Sequence, residues 1–215
     1  MSSTTSGPDG TGDVGAVGAD GGPSGALRGE PGFRTPPDDF VAAASVAPNH
    51  WLSVIDRHWR GSDDEAPPSW AVLGRWRSDE HGEIVEWERN SEYRPSPDAL
   101  GWARPVGPAD AAVQLAATGY GTEESLVAAV AEAELAVCVG DDGRPAVTEA
   151  PDGTPVVPVF STSPGLEKDR LPAHRVMPVP ELLARLPRGC DVLFLSSSAP
   201  VARILAASAL RSRRG

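Results

Sequence analysis

The chain has 215 residues and a formal net charge of -11, with Lys+Arg 19 set against Asp+Glu 30. That balance leaves no domain-scale basic field for nucleic acid or anionic lipid, and the longest apolar runs, about five residues, fall far short of the roughly 20 that span a bilayer. The opening "MSSTTSGPDG" lacks the basic-then-apolar pattern of a secretory signal, so the expected compartment is the cytoplasm.

From Met1 to Asn49 the sequence is Gly, Ser, Pro, Asp and Ala around two isolated phenylalanines, Phe33 and Phe40. Such a stretch buries too little apolar surface to offset an ordering cost of about 1–2 kcal/mol per residue, so residues 1–49 read as a disordered tail. Within it only "DDFVAAASV", Asp38 to Val46, is compatible with a short helix, with Asp38 as N-cap. Order is expected from residue 50 to 215 as a single α+β domain, divided into a Trp-rich hairpin and loop (50–105) and a second part (106–215).

"HWLSVIDRHWRG" spaces Trp51, Ile55 and Trp59 by four, which predicts a short helix or turn before the acidic loop "GSDDEAPP". "SWAVLGRWRS" and "GEIVEWERN" predict two strands about a "DEHG" turn, with Trp70, Val72, Gly74 and Trp76 on one face of the first and Val85 and Trp87 on one face of the second. "NSEYRPSPDALGWARPVGP" is an ordered crossing loop pinned by Tyr93 and Trp102, with one helical turn at "PDALG". Two helices follow: "PADAAVQLAATGYG" opens on Pro108 and closes on Gly119, and "TEESLVAAVAEAEL" is capped by Thr122 with Glu123 and Glu124 in its first turn.

"LAVCVG", "RPAVTEA" and "TPVVPVF", separated by "DDG" and "PDG", predict a three-stranded antiparallel meander whose most buried run is Val156 to Phe160. Then come "SPGLEKDR" as a brief helix, "RVMPV" as an edge strand, "PELLARLP" as a helix starting at Pro180, "CDVLFLS" as a buried strand and "SAPVARILAASALRSRR" as a terminal helix. The fold class is therefore α+β, a mixed and mainly antiparallel sheet covered by helices.

Taken together, "PPSWAVLGRWRS", "GEIVEWERNSEYRPSPDALGW", "DAAVQLAATGYG", "APDGTPVVPVFSTSP" and "VPELLARLP" resemble the actinobacterial type VII secretion system-associated proteins, and the C-terminal half resembles the SseB-like domain. The resemblance covers roughly residues 50 to 210, with Arg57 standing where proline is expected after the aspartate of "VIDRHW". It implies an accessory role in secretion, a protein partner that is a component of that machinery or one of its substrates, and no agreed catalytic residues. Substrates of the pathway carry a Trp-x-Gly turn and a Tyr-x-x-x-Asp/Glu signal. Trp59–Gly61 and Tyr120–Glu124 match the strings but not the helical geometry, so export remains an alternative only.

The residue chemistry is consistent with a non-enzymatic module. Ser196–Ser198 follow a strand and precede a helix, where catalytic serines occur, yet no Gly-x-Ser-x-Gly elbow surrounds them; Ser198 reads as a helix cap, and a small hydrolytic or ligand-binding enzyme is the runner-up. Ser161, Thr162 and Ser163 read as the corner ending a buried strand, with an adjoining groove for a peptide as an additional reading. His50, His58, His81 and His174 are scattered, Asp141, Asp142 and Asp152 lie in turns, and Cys138 and Cys190 sit beside apolar strands, so no metal, cofactor or reactive thiolate is expected. Arg211, Arg213 and Arg214 suit the negative end of a last helix. A partner-binding surface, if aromatic, would use Trp70, Trp76, Trp87, Tyr93 and Trp102.

Overall fold

The computed structural model describes residues 25–61, 65–162 and 171–213. The class is α+β, and the contacts among these residues divide into two compact units, Met1–Leu52 with Arg75–Arg89 and Ser53–Gly74 with Asn90–Gly215. A four-stranded sheet has the order β1-β4-β3-β2, formed by β1 (Gly25–Leu27), β2 (Trp51–Ile55), β3 (Val72–Ser78) and β4 (Ile84–Arg89). The chain passes from one unit to the other inside β2 and again inside β3.

The first unit owes its core to indoles. Trp76 and Trp87 are buried with ring centroids 4.8 Å apart, and Phe40 meets Trp76 edge-on at 4.7 Å. The Trp76 Nε1–H donates to the Arg34 carbonyl at 3.0 Å, so the one polar atom of the ring is satisfied. Phe40 is carried by helix α1 (Asp38–Val46), which forms where the sequence allows it, although Pro37 and not Asp38 occupies the N-cap. Residues 1–24 of the stretch read as a disordered tail lie outside the described residues. Residues 25–49 instead bear β1 and α1, because β1 pairs with β4 and Ala44 is fully buried. Tertiary pairing supplies the apolar contact that this local sequence lacks.

The segment from Trp51 is a strand and not a helix. Trp51, Ser53 and Ile55 are exposed while Leu52 and Val54 are half-buried, and a spacing of four serves a period of two as well as a period of 3.6. Trp70 falls in a one-turn 3-10 helix (Ser69–Ala71) ahead of β3, so the buried face of that strand is Gly74, Trp76 and Ser78. In the β3–β4 turn Gly82 adopts φ 77°, and a Cβ there would stand 2.8 Å from Ser45 Cα and 2.9 Å from the Ala44 carbonyl oxygen.

The second unit holds the larger sheet, in the order β10-β9-β7-β5-β8, with β6 paired to β7 off that path. Its strands are β5 (Glu134–Cys138), β6 (Thr148–Glu149), β7 (Pro155–Ser161), β8 (His174–Pro178), β9 (Asp191–Leu195) and β10 (Ala202–Leu205). All its pairings are antiparallel except β7 with β9. Helices α2 (Pro108–Thr118), α3 (Glu123–Ala131), α4 (Val179–Arg185) and α5 (Ala207–Ser212) bury Val113, Leu126, Val130, Leu182 and Leu210 against Leu135, Val157, Val159 and Phe194 of the sheet. Gly119 closes α2 in the left-handed region and the Thr122 side chain accepts the Ser125 N–H at the start of α3, as their sequences dictate.

Two expectations change. The meander is not sequential: β7 lies between β5 and β9, and β6 is reduced to two residues. The expected terminal helix is split into β10 and α5, since Val201 and Leu205 pack on the core and β10 finds the free edge of β9. The brief helix expected at 163–170 lies outside the described residues. Among the described residues no helix is long and apolar enough to cross a membrane.

Replacing Trp76 with Ala should cost about 3–5 kcal/mol through the cavity and the lost ring contacts, read as a lowered denaturant midpoint by tryptophan fluorescence. Gly82→Ala should lower stability by more than the ~1 kcal/mol of an ordinary strained position, because backbone atoms and not a flexible side chain obstruct the new methyl group.

Candidate functional site

The strand ends that the sequence singles out for chemistry converge on a residue it does not. Asp110, in the first turn of α2, is completely buried. Its Oδ1 accepts the hydroxyls of Ser161, at the end of β7, at 3.0 Å and of Ser196, just past β9, at 2.6 Å. Its Oδ2 accepts the Ser198 hydroxyl and the Val106 N–H, the latter at 2.9 Å. Four donors meet the four acceptor positions of one carboxylate. The helix N-terminus contributes a favourable field, and the Val106 N–H, one residue before the N-cap Gly107, is a backbone donor that finds its acceptor here.

The outer groups are tied in turn. Gln114, one turn along α2 and itself buried, donates through Nε2 to Ser198 Oγ at 2.8 Å and to the Ala103 carbonyl at 3.1 Å. The Ser197 hydroxyl donates to the Ser161 carbonyl at 2.7 Å, while the Ser197 N–H donates to Ser161 Oγ at 3.0 Å. Ser196 Oγ accepts from the Ser198 and Ala199 N–H groups at 3.2 and 3.0 Å, and the Ser196 N–H closes the β9–β10 hairpin on the Val201 carbonyl. Ser198 is therefore a turn residue and not the helix cap expected from sequence. Thr162 donates to the Glu134 carbonyl, and Ser163 lies outside the described residues.

Beside this network is a cavity of about 320 Å3 bounded by residues 107–110, 129, 132–135 and 161–162. It occupies the place where the sequence suggests a groove next to the Ser161–Thr162 corner. Among the described residues no histidine hydrogen-bonds to these serines: His58 lies by Asp56, and His50 and His174 bond backbone carbonyls. No group of three or more metal-ligating side chains gathers among the described residues. Cys138 and Cys190 are unpaired and buried, and burial raises the Cys138 thiol above its ordinary range.

The five aromatic candidates divide between the two units. Trp76 and Trp87 belong to the core of the first unit. In the second, Trp70 packs edge-on against Tyr120 at 5.1 Å under Arg94, Trp102 is half-buried next to Ala103, whose N–H donates to the Ser198 carbonyl at 3.2 Å, and Tyr93 donates its hydroxyl to Asp56 Oδ2 at 2.6 Å. Trp51, outside that set, is the exposed indole, at 39% accessibility with the Arg75 guanidinium 4.3 Å over its ring. Burial pushes the Asp56 carboxyl up, but hydrogen bonds from the Tyr93 hydroxyl, the His58 N–H, Ser96 and the His58 ring outweigh it and hold the group below its usual range. Tyr93 is raised, by burial first and then by its bond to that carboxylate.

Residues 110–212 match the family model described as SseB protein N-terminal domain. No curated protein and no solved structure matches the chain significantly. The matched stretch, slightly under half of the chain, is SseB-like; it begins at Asp110 itself and contains Gln114, Ser161 and Ser196–Ser198. Sequence reading missed Asp110 and Gln114. The available signal was two polar residues four apart flanking Val113 on a helix otherwise rich in alanine.

Asp110→Asn should destabilise the protein by about 3 kcal/mol, because an amide turns one acceptor into a donor facing serine hydroxyls; Ser198→Ala should cost about 1–2 kcal/mol. Chemical denaturation checks both. Because Asp56 is depressed in the folded state, its contribution is present above the unfolded carboxylate range and is lost as pH falls through the folded value. Tyr93→Phe should therefore lower stability at pH ~7 by about 1.5–3 kcal/mol, with the gap to wild type shrinking in acid.

Proposed function

We propose that this chain is a non-enzymatic, protein-binding accessory of the type VII secretion system, acting in the cytoplasm. One observation carries the non-enzymatic part: every described serine at the strand ends gives its proton to Asp110 or to a backbone carbonyl, and the carboxylate already receives four donors. A nucleophilic serine needs a neighbouring base with room to take its proton. Here the same atoms fasten α2 to β7 and to the β9–β10 turn. The SseB-like stretch and the sequence resemblance support the accessory role, and the adjoining cavity supplies a concave surface of a size that suits a side chain of a partner.

The alternative, a small hydrolytic enzyme, draws on the Ser198–Asp110 contact near that cavity. Affinity purification of the tagged full-length chain from its native cell separates the readings. Recovery of secretion components, with no labelling of Ser196, Ser197 or Ser198 by a fluorophosphonate, is the expected result. Covalent labelling at one of those serines would replace the proposal by the enzyme, and accumulation of the chain in the culture medium would make it a secreted substrate.

A further inference from the structure

The cavity beside Asp110 is asymmetric in its chemistry. Ala109, Ala129, Ala133 and the buried Leu135 are apolar members of its lining, and the three alanines are short enough to leave space for an aliphatic stem. Its charged lining residues are Asp110, Glu132 and Glu134, and among the described residues no lysine, arginine or histidine lines it. Asp110 is saturated by its four donors and sits against the positive end of α2, so the two offset one another. The remaining field comes from Glu132 and Glu134, both exposed, and from the C-terminal end of α3, whose C-cap is Glu132 and whose partial charge has the same sign. A slot whose lining joins short apolar groups to exposed carboxylates complements a long aliphatic stem ending in a cation.

We infer that this cavity takes a basic side chain, a lysine or arginine, presented by a protein partner, the stem on the alanines and the cation at Glu132 and Glu134. This rests on the protein-binding reading above and names the group recognised. An acidic group would meet three carboxylates and, among the described residues, no cation. A purely apolar side chain would fill the space the alanines leave but leave the carboxylates unanswered. The chain's net charge of -11 favours the same class of partner at longer range.

The test is a titration of the isotope-labelled full chain, followed by amide NMR, with the blocked peptide acetyl-Ala-Ala-Lys-Ala-Ala-amide and with versions carrying norleucine or glutamate in place of lysine. The lysine peptide should move the amides of Ala109, Ala129, Leu135 and Thr162 saturably, and the other two should not. The double variant Glu132→Gln, Glu134→Gln changes only exposed positions and should bind about fivefold to tenfold more weakly, with wild-type binding also falling as salt is raised. Ala129→Leu, which fills the space the alanines leave, should abolish the shifts. Equal binding of the norleucine peptide, unchanged affinity in the double Gln variant, equal affinity for free butylamine, or no saturable lysine shift would each overturn the inference. Capture of secretion components by wild type keeps the two proposals apart. If capture persists while the lysine peptide fails, the cavity inference falls alone, whereas absence of capture removes the protein-binding reading.

Discussion

A buried carboxylate with no cation beside it among the described residues is the constraint on which the second unit turns. Removing such a charge from water costs several kcal/mol even after relaxation, and attraction to a partner ion is the usual compensation. At Asp110 the compensation is four hydrogen bonds, three from serine hydroxyls far away in sequence and one from the backbone at the start of its own helix. Hydrogen bonds to a charged acceptor contribute about 1.5–3 kcal/mol each, but only when all the donors arrive together. The end of β7, the β9–β10 turn and the N-terminus of α2 are thereby held in one arrangement, and the cavity beside them inherits its shape.

The serines here occupy the position of a catalytic strand end and are engaged in hydrogen bonds that join strands and turns. Position after a buried strand is shared by nucleophiles, anion-binding turns and structural turns, and the surrounding donors and acceptors distinguish them. Here Ser196 folds back on the next two backbone N–H groups, Ser197 stitches β9 to β7, and Ser198 is held between Asp110 and Gln114. Each hydroxyl has a structural task, which directs attention from the serines to the space they border.

Two tryptophans of the first unit, Trp76 and Trp87, are buried. Aromatic residues are enriched both in cores and in recognition surfaces, and their presence on a predicted hairpin does not choose between the two. Trp76 and Trp87 form the core of a small unit that has few other large side chains, with Phe40 brought in from a segment whose composition predicts no order. That unit is stabilised by β1 pairing with β4 and by the bond from Trp76 to the Arg34 carbonyl. Trp51 remains exposed on an edge strand because its spacing with Ile55 places both on the outer side of β2.

Local chemistry determined a great deal by itself. Pro108 and Gly119 bracket α2, Thr122 begins α3, turn residues separate β5, β6 and β7, and the α+β class follows from the change of apolar period along the chain, because caps, turns and periodicity act over a few residues. Tertiary structure alone decided which strands became neighbours, that residues 25–49 gained order by pairing, that 202–205 formed a strand along β9, and that Asp110 met serines 51, 86 and 88 residues away. Those outcomes depend on which buried polar groups and free strand edges can satisfy one another in space, a condition that no local window of sequence expresses.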